Sequence, residues 1–156
     1  MTESPASSPG HPHPAPDPLK DEHYMRLALR QAAEAAEAGD VPIGAVIVRQ
    51  GRIIGQAHNQ VELLKDPTAH AEIIAITQAA NALGDWRLDG ATLYVTKEPC
   101  PMCRHALRLA RVARVVFGAP DPQTLEGFPP PSQTAGVLEA ECREQLQRFF
   151  RRLRKG

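Results

Sequence analysis

The feature that most constrains the fold is an alternation of helical and extended patterns along the chain. Apolar residues recur at helical spacing from Asp21 to Ala38, and two β-branched runs then flank Gln50-Gly51, which predicts a hairpin. A helix is predicted from Asp66-Pro67-Thr68 to Gly84. The pattern continues as strand, helix, strand, loop and helix, over 91–96, 101–110, 112–117, 119–136 and 138–153. This alternation predicts an α/β fold in which helices cover a mixed sheet.

The N-terminal region differs in composition from the rest of the chain. Residues 1–18 contain six prolines and almost no large apolar side chain. They cannot bury enough surface to offset the entropy of ordering, so a disordered tail is predicted over 1–18 and one domain over 19–156.

Composition also bears on the cellular compartment. Three cysteines exclude a dense disulfide framework and suggest a reducing environment. The longest apolar run, Val41 to Val48, is too short to cross a bilayer, and the N-terminus lacks the basic and apolar regions of a signal peptide. We therefore expect a cytoplasmic protein with no membrane partner.

Charge is unevenly distributed, although Lys+Arg and Asp+Glu both number 18. Basic side chains are concentrated at the C-terminal end, in Arg148, Arg151, Arg152, Arg154 and Lys155. Such a run is favourable at the negative end of a helix dipole, and it is equally compatible with a phosphate-binding surface. The charge pattern alone leaves both interpretations open.

Two short motifs carry the chemistry, and each lies at the start of a predicted helix: His70-Ala71-Glu72 and Pro99-Cys100-Pro101-Met102-Cys103. Two cysteines separated by two residues at a helix N-terminus can direct both sulfurs at one metal ion, and the helix end favours the thiolate. With His70 as a third ligand, one tetrahedral position stays open for water, as in catalytic zinc sites.

Glu72 lies two positions beyond the histidine, so its carboxylate can reach the open position without binding the metal. There it can take a proton from the bound water and deliver it elsewhere, which suits hydrolytic displacement of an amino group from an amidine-like ring carbon. A Cys-x-x-Cys pair can also be redox-active or half of a structural zinc site. The structural site needs a fourth ligand, and Cys142 lies among core-like neighbours.

Taken together, these stretches resemble the zinc nucleobase deaminases and, within that superfamily, the bacterial tRNA-specific adenosine deaminases. The similarity spans roughly residues 22–121 and is carried by 41–46, 66–72, 92–96, 98–103 and 114–119. It implies a three-layer α/β/α cytidine-deaminase-like fold with a mixed sheet of about five strands. It also implies one zinc ion per chain, held between two helix starts.

The same resemblance implies a role for each matching position. The zinc ligands are His70, Cys100 and Cys103, the proton shuttle is Glu72, and the substrate contacts are Asn59, Ala71 and Asp121. The implied activity is conversion of the wobble adenosine of a tRNA anticodon stem-loop to inosine, usually by a homodimer. The basic last helix, here with Arg151, Arg152 and Arg154, approaches the RNA.

Two departures from the family pattern keep other functions open. His105 stands where the family has a small residue, and the segment 122–140 is shorter, with Gly136-Val137-Leu138 as the remnant of a fifth strand. Since loops often carry recognition, the shorter segment admits other substrates. The alternatives are a deaminase of free cytosine, guanine or cytidine, a nucleic-acid deaminase acting on single-stranded DNA, and a non-catalytic deaminase-like subunit.

Overall fold

The structure is a computed structural model that describes residues 17–122 and 132–155. Its helices are α1 (Pro18–Glu37), α2 (Val61–Leu64), α3 (Ala71–Leu83), α4 (Pro101–Leu109) and α5 (Glu139–Lys155). Its strands are β1 (Gly44–Arg49), β2 (Arg52–His58), β3 (Thr92–Lys97), β4 (Arg114–Ala119) and β5 (Ser132–Thr134). Most of the tail predicted over 1–18 lies outside the described residues, and Pro18 already begins α1. Within those residues, no helix combines the length and apolar character needed to cross a membrane.

The strands form one mixed sheet in the order β2-β1-β3-β4-β5. β1 pairs antiparallel with β2 and β3, whereas β3, β4 and β5 are parallel. Side chains alternate between the two faces, so that Ile47 and Leu93 pack with α3 and α4 while Val46 and Tyr94 pack with α1 and α5. The predicted α/β fold with three layers and about five strands is confirmed.

Glycines let two helices approach the sheet closely. A Cβ atom on Gly44 of β1 would lie 1.9 Å from the Ala28 carbonyl oxygen of α1. A Cβ atom on Gly55 of β2 would lie 2.6 Å from the Ala75 carbonyl oxygen of α3. Because no side chain separates these backbones, α3 is held against β2, and the start of α3 is fixed relative to the sheet.

A buried polar cluster ties α1 to the other face of the sheet. Asp21 of α1 accepts hydrogen bonds from the Tyr94 hydroxyl at 2.9 Å and from Arg114 Nη1 and Nη2 at 2.9 and 2.7 Å. Arg114 Nη2 also donates to Thr134 Oγ1 at 2.9 Å. This cluster therefore joins α1, β3, β4 and the edge strand β5.

The structure corrects the sequence prediction at three places. The helix predicted from Asp66 begins at Ala71, because the Asp66 carboxylate accepts hydrogen bonds from the amide and hydroxyl of Thr68 and forms a turn instead. The short α2 was not predicted, since four residues give no helical periodicity. Strand β5 lies inside the predicted 119–136 loop, whereas Gly136 and Leu138 have φ angles of 80° and 53°, which excludes an extended strand over 136–138.

Candidate metal centre and active site

His70 and Cys100 have the same local geometry at the starts of two helices. His70 is the N-cap of α3 with φ −73° and ψ 150°, and Cys100 is the N-cap of α4 with φ −68° and ψ 168°. Neither side chain makes the capping hydrogen bond to its own helix that N-cap side chains commonly make. Pro101 follows Cys100 at the first helical position, where its fixed φ suits a helix start. Both donor atoms are consequently left to face a common centre.

The three predicted ligands converge, although they come from motifs about thirty residues apart. His70 Nδ1 lies 3.6 Å from Cys100 Sγ and 3.5 Å from Cys103 Sγ, and the three donor atoms all lie within 4.8 Å of one another. In a tetrahedral zinc site with Zn–N near 2.1 Å and Zn–S near 2.3 Å, nitrogen and sulfur are separated by about 3.6 Å. The donor set and its spacing therefore fit zinc.

The protonation of the cluster suits a divalent cation. The hydrogen bond from the Cys103 thiol, helped by His70, lowers the pKa of Cys100 to about 4. The Cys100 thiolate, together with burial, raises the pKa of Cys103 above its usual range. Its hydrogen bond to Cys100 also raises the pKa of His70. The cluster thus contains one thiolate without a metal, and the Cys103 thiol would lose its proton on metal binding.

Glu72 lies beside this cluster in the first turn of α3. Its side chain is buried, with only 3% of the residue exposed, and its carboxyl group hydrogen-bonds the Cys103 thiol. Burial raises the pKa of Glu72, because the charged carboxylate loses its hydration. A carboxyl group with a raised pKa exchanges its proton closer to neutral pH, as a general acid-base group must.

Two further predicted substrate contacts lie near His70 along the backbone: Ala71 follows it directly, and Gln60, the neighbour of Asn59, donates its amide to the Ala69 carbonyl at 2.9 Å. Asn59 follows β2, donates its Nδ2–H to the Val41 carbonyl at 3.4 Å, and has a buried Oδ1 with no hydrogen-bond partner among the described residues. An unsatisfied buried acceptor costs about 1–3 kcal/mol and suits a donor supplied by a ligand. Ala71 is fully buried in the core between α3 and the sheet, so only its backbone can face a substrate.

Asp40 orders the segment that follows Asn59. It is buried, and its carboxylate accepts the Glu62 amide at 2.7 Å and the Leu63 amide at 3.2 Å at the start of α2. Sequence reasoning did not single out Asp40, because its partners lie more than twenty residues away.

Asp121 belongs to a polar network at the end of β4. Its backbone N–H donates to Glu98 Oε1 at 2.9 Å, and its carboxylate lies 3.6 Å from Lys97 Nζ. The second carboxylate oxygen of Glu98 pairs with Arg104, and Arg104 Nε donates to the Pro99 carbonyl at 3.1 Å. Sequence reasoning did not assign Glu98 or Arg104 to the site, although both flank the cysteine motif and carry opposite charges.

The predicted RNA-contacting arginines lie on a different layer from the cluster. Arg151, Arg152 and Arg154 are exposed near the end of α5, which packs with α1 on the sheet face opposite α3 and α4. Arg151 pairs with Glu144 of its own helix at 3.0 Å. The structure thus does not bring these arginines into the metal cluster.

His105 lies on the exposed side of α4, so its bulk is accommodated without displacing the buried Cys103.

Comparison with known protein families finds one family whose model matches nearly the whole described chain. The MafB19-like deaminases match residues 19–154, which include the metal cluster, Glu72 and all five strands. The chain belongs to the MafB19-like deaminase family. The deaminase is also similar to the tRNA-specific adenosine deaminase of Bacillus subtilis (strain 168), at 51% identity over 148 residues that cover 87% of this chain and 92% of the relative.

Solved structures resemble the deaminase over most of its length. One, from a study of A-to-I editing by tRNA:A34 deaminases at the wobble position, superposes with a TM-score of 0.75 at 44% identity, covering 80% of this chain and 99% of that one. Guanine deaminase from Bacillus subtilis superposes with a TM-score of 0.61 at 44% identity, covering 64% of each chain. The resemblance to bacterial tRNA-specific adenosine deaminases is confirmed.

Proposed function

We propose that this chain is a zinc-dependent hydrolase that converts adenosine to inosine at the wobble position of tRNA anticodons. The observation that carries the proposal is the convergence of His70, Cys100 and Cys103 beside the buried Glu72. Its support is the similarity to tRNA-specific adenosine deaminases along nearly their full length. The deaminase domain is proposed to occupy residues 19–156, with 1–18 as a tail.

The chemistry divides between the metal and this chain's side chains. A zinc ion held by His70, Cys100 and Cys103 would supply an acidified water as the nucleophile. Glu72 accepts a proton released as the new C6–O bond forms and donates it to N1 of the adenine ring. It then takes the second proton from the oxygen now on C6 and transfers it to the N6 amino group as the C6–N6 bond breaks, which releases ammonia and leaves the C6 carbonyl of inosine. Burial keeps this proton transfer shielded from bulk water.

Two residues are proposed to hold the flipped base. The unpartnered Asn59 Oδ1 is buried, and a hydrogen-bond donor on the substrate would satisfy it. The Ala71 amide is among the first amides of α3, which have no acceptor within the helix and can face a ring nitrogen. A base in a single-stranded anticodon loop is already poorly stacked, so extruding it into such a site costs less than from a duplex.

The rest of the RNA is proposed to contact the surface of the protein. Asp121 would lie beside the substrate backbone, and Arg151, Arg152 and Arg154 would bind phosphates. A homodimer is proposed as well, and the exposed Leu63, Leu64 and Leu109 of α2 and α4 offer apolar surface for a second copy. The tRNA substrate and the three free cysteines are in keeping with a cytoplasmic location.

A second candidate function is deamination of a free base, and the superposition with guanine deaminase favours it specifically. The zinc chemistry and Glu72 would serve both reactions equally. The two functions differ in the need for RNA contacts, so only the larger substrate should bind more weakly as salt concentration rises.

The deciding experiment measures inosine formation in an anticodon stem-loop with a wobble adenosine, with sequencing as the readout. Zinc-loaded protein is compared with Glu72→Ala and with the same stem-loop carrying guanosine at the wobble position. We expect conversion of adenosine by the unmodified chain alone. Ammonia release from free guanine or cytosine, with no inosine in the stem-loop, would replace the tRNA assignment by the second candidate.

A further inference from the structure

Beyond its metal ligands, the chain carries a side-chain clamp around the segment that presents Cys100. We propose that Arg104 and Glu98 are positioning residues, which fix the Pro99-Cys100 backbone and thereby set the geometry and affinity of the metal centre. The inference rests on the proposed zinc site and goes beyond it, because neither residue is a ligand or touches the reacting base.

The clamp is formed by contacts on both sides of the ligand. Arg104, in the second turn of α4, donates from Nε to the Pro99 carbonyl at 3.1 Å, immediately before Cys100. The same guanidinium reaches back to pair with the carboxylate of Glu98 through Nη2. The planar guanidinium of Arg104 thus binds both the Pro99 carbonyl, which lies immediately before Cys100, and the side chain of Glu98.

Glu98 anchors the clamp to the sheet. Its second oxygen accepts the Asp121 amide at 2.9 Å, and its own amide donates to the Ala119 carbonyl at 2.8 Å at the end of β4. The ligand segment between β3 and α4 is therefore attached to the next strand by side chain and backbone. Without the Arg104 side chain, the Pro99 carbonyl would lose this hydrogen bond, and Cys100 would keep its contact with His70.

Because the Arg104–Glu98 pair is buried, losing one partner should cost more free energy than losing one partner of an exposed ion pair. The side chains of Arg104 and Glu98 are only 12% and 13% exposed, whereas the Arg143–Glu139 pair on α5 is 51% and 37% exposed. Exposed pairs are screened by water and contribute little, but a buried carboxylate that loses its partner is left uncompensated. Residues that orient metal ligands commonly change metal affinity when they are removed.

The test measures metal binding separately from catalysis. Zinc affinity is measured by chelator competition, and the cobalt-substituted protein is recorded by its visible absorption, for the full chain and for Arg104→Ala, Arg104→Lys and Glu98→Gln. We expect Arg104→Ala to weaken zinc binding about tenfold and to alter the cobalt bands. Arg104→Lys should recover part of the loss, because lysine can pair with Glu98 but cannot also donate to Pro99 with the same geometry.

Two controls separate positioning from general stability. Arg143→Ala removes an exposed pair of the same kind, and Asp21→Asn weakens a buried pair on the opposite face of the sheet. Both should leave zinc affinity and the cobalt spectrum unchanged, even though Asp21→Asn lowers the unfolding free energy. Glu98→Gln replaces the carboxylate with a neutral side chain of similar shape. If Arg104→Ala does not fold, the zinc affinity of Glu98→Gln tests the proposal instead.

Each outcome of these measurements either supports or overturns the proposed clamp. Unchanged zinc affinity and cobalt bands in folded Arg104→Ala or Glu98→Gln would overturn the clamp while leaving the proposed function intact. If Asp21→Asn weakens zinc binding as much as Arg104→Ala does, the effect is one of general stability, and the clamp is overturned as well. If the unmodified chain itself binds no zinc, the proposed function fails together with the inference.

Discussion

His70 and Cys100 are each the residue immediately before a helix, and their Nδ1 and Sγ atoms lie 3.6 Å apart. The N-terminal ends of α3 and α4 therefore point at the same centre. Helix N-termini carry partial positive charge and stabilise thiolates, so the backbone itself favours the charged form of Cys100. This pairing of two helix starts brings the two short motifs together as one candidate metal centre.

Replacing the buried carboxyl group should separate catalysis from stability. Glu72→Gln is expected to abolish deamination while keeping zinc, because glutamine has similar shape but transfers no proton. The metal-free variant should also be more stable than the unmodified chain by about 1 kcal/mol at neutral pH, since a buried ionisable group is removed. Urea denaturation of the metal-free proteins checks the second expectation, with the exposed Glu141→Gln as control.

The pH dependence of that difference has a defined sign. The pKa of Glu72 is raised in the folded state by burial, so the folded chain binds the proton more tightly than the unfolded chain. Its contribution to stability is complete below the unfolded pKa and is lost as pH rises through the folded pKa. The advantage of Glu72→Gln should hence grow between pH 5 and pH 8. A constant difference over that range would contradict the burial argument.

Cys100 and Cys142 should differ sharply in their reaction with alkylating agents. In the metal-free protein, Cys100 is a thiolate well below neutral pH because its pKa is lowered to about 4, whereas burial raises the pKa of Cys142 to about 12. Cys100 is expected to react with iodoacetamide at a rate nearly constant from pH 6 to pH 9, and Cys142 to stay unmodified. Peptide mapping by mass spectrometry identifies the site, and saturating zinc should protect Cys100.

The buried cluster on the other face should dominate the stability of the chain. The side chains of Asp21 and Arg114 are both 5% exposed, and removing one partner leaves an uncompensated charge. Asp21→Ala is expected to lower the unfolding free energy by about 3–5 kcal/mol. Tyr94→Phe removes only one hydrogen bond and should cost about 1 kcal/mol. A loss of less than about 1 kcal/mol for Asp21→Ala in urea denaturation would contradict this.

The exposed arginines of α5 test the RNA part of the proposal. Replacing Arg151, Arg152 and Arg154 by alanine should weaken stem-loop binding and make the logarithmic salt dependence shallower by up to about 2–3 units, at roughly 0.7–0.9 per phosphate contact. Fluorescence anisotropy at several salt concentrations measures both quantities. Arg143→Ala serves as the matched control on the same helix. An unchanged salt slope would assign the arginine run to a solvated helix end.

Elements with strong local periodicity were predicted well. The β-branched runs of β1 and β2, and the apolar stripe of α1, carry their own pattern, so their order and approximate ends follow from the residues alone. Elements without such a pattern were missed. Strand β5 is the polar Ser-Gln-Thr segment on the sheet edge, and its pairing with β4 is fixed by long-range contacts, including that of Arg114 with Thr134.

By itself, the sequence determined the chemistry available to this chain. A histidine and two cysteines at helix starts, with a glutamate two positions after the histidine, predict a metal-donor set and a proton carrier. Such features are local, since each depends on residue type and on spacing within one or two turns.

Only the tertiary structure decided how those groups meet. The distance between His70 and Cys100, the burial of Glu72, and the Arg104–Glu98 contacts at the ligand segment depend on how α3, α4 and the sheet pack. The tertiary structure also places the arginines of α5 on the sheet face opposite His70, Cys100 and Cys103. Distances between residues far apart in sequence arise from the whole core, where close packing allows one arrangement, and no local pattern encodes them.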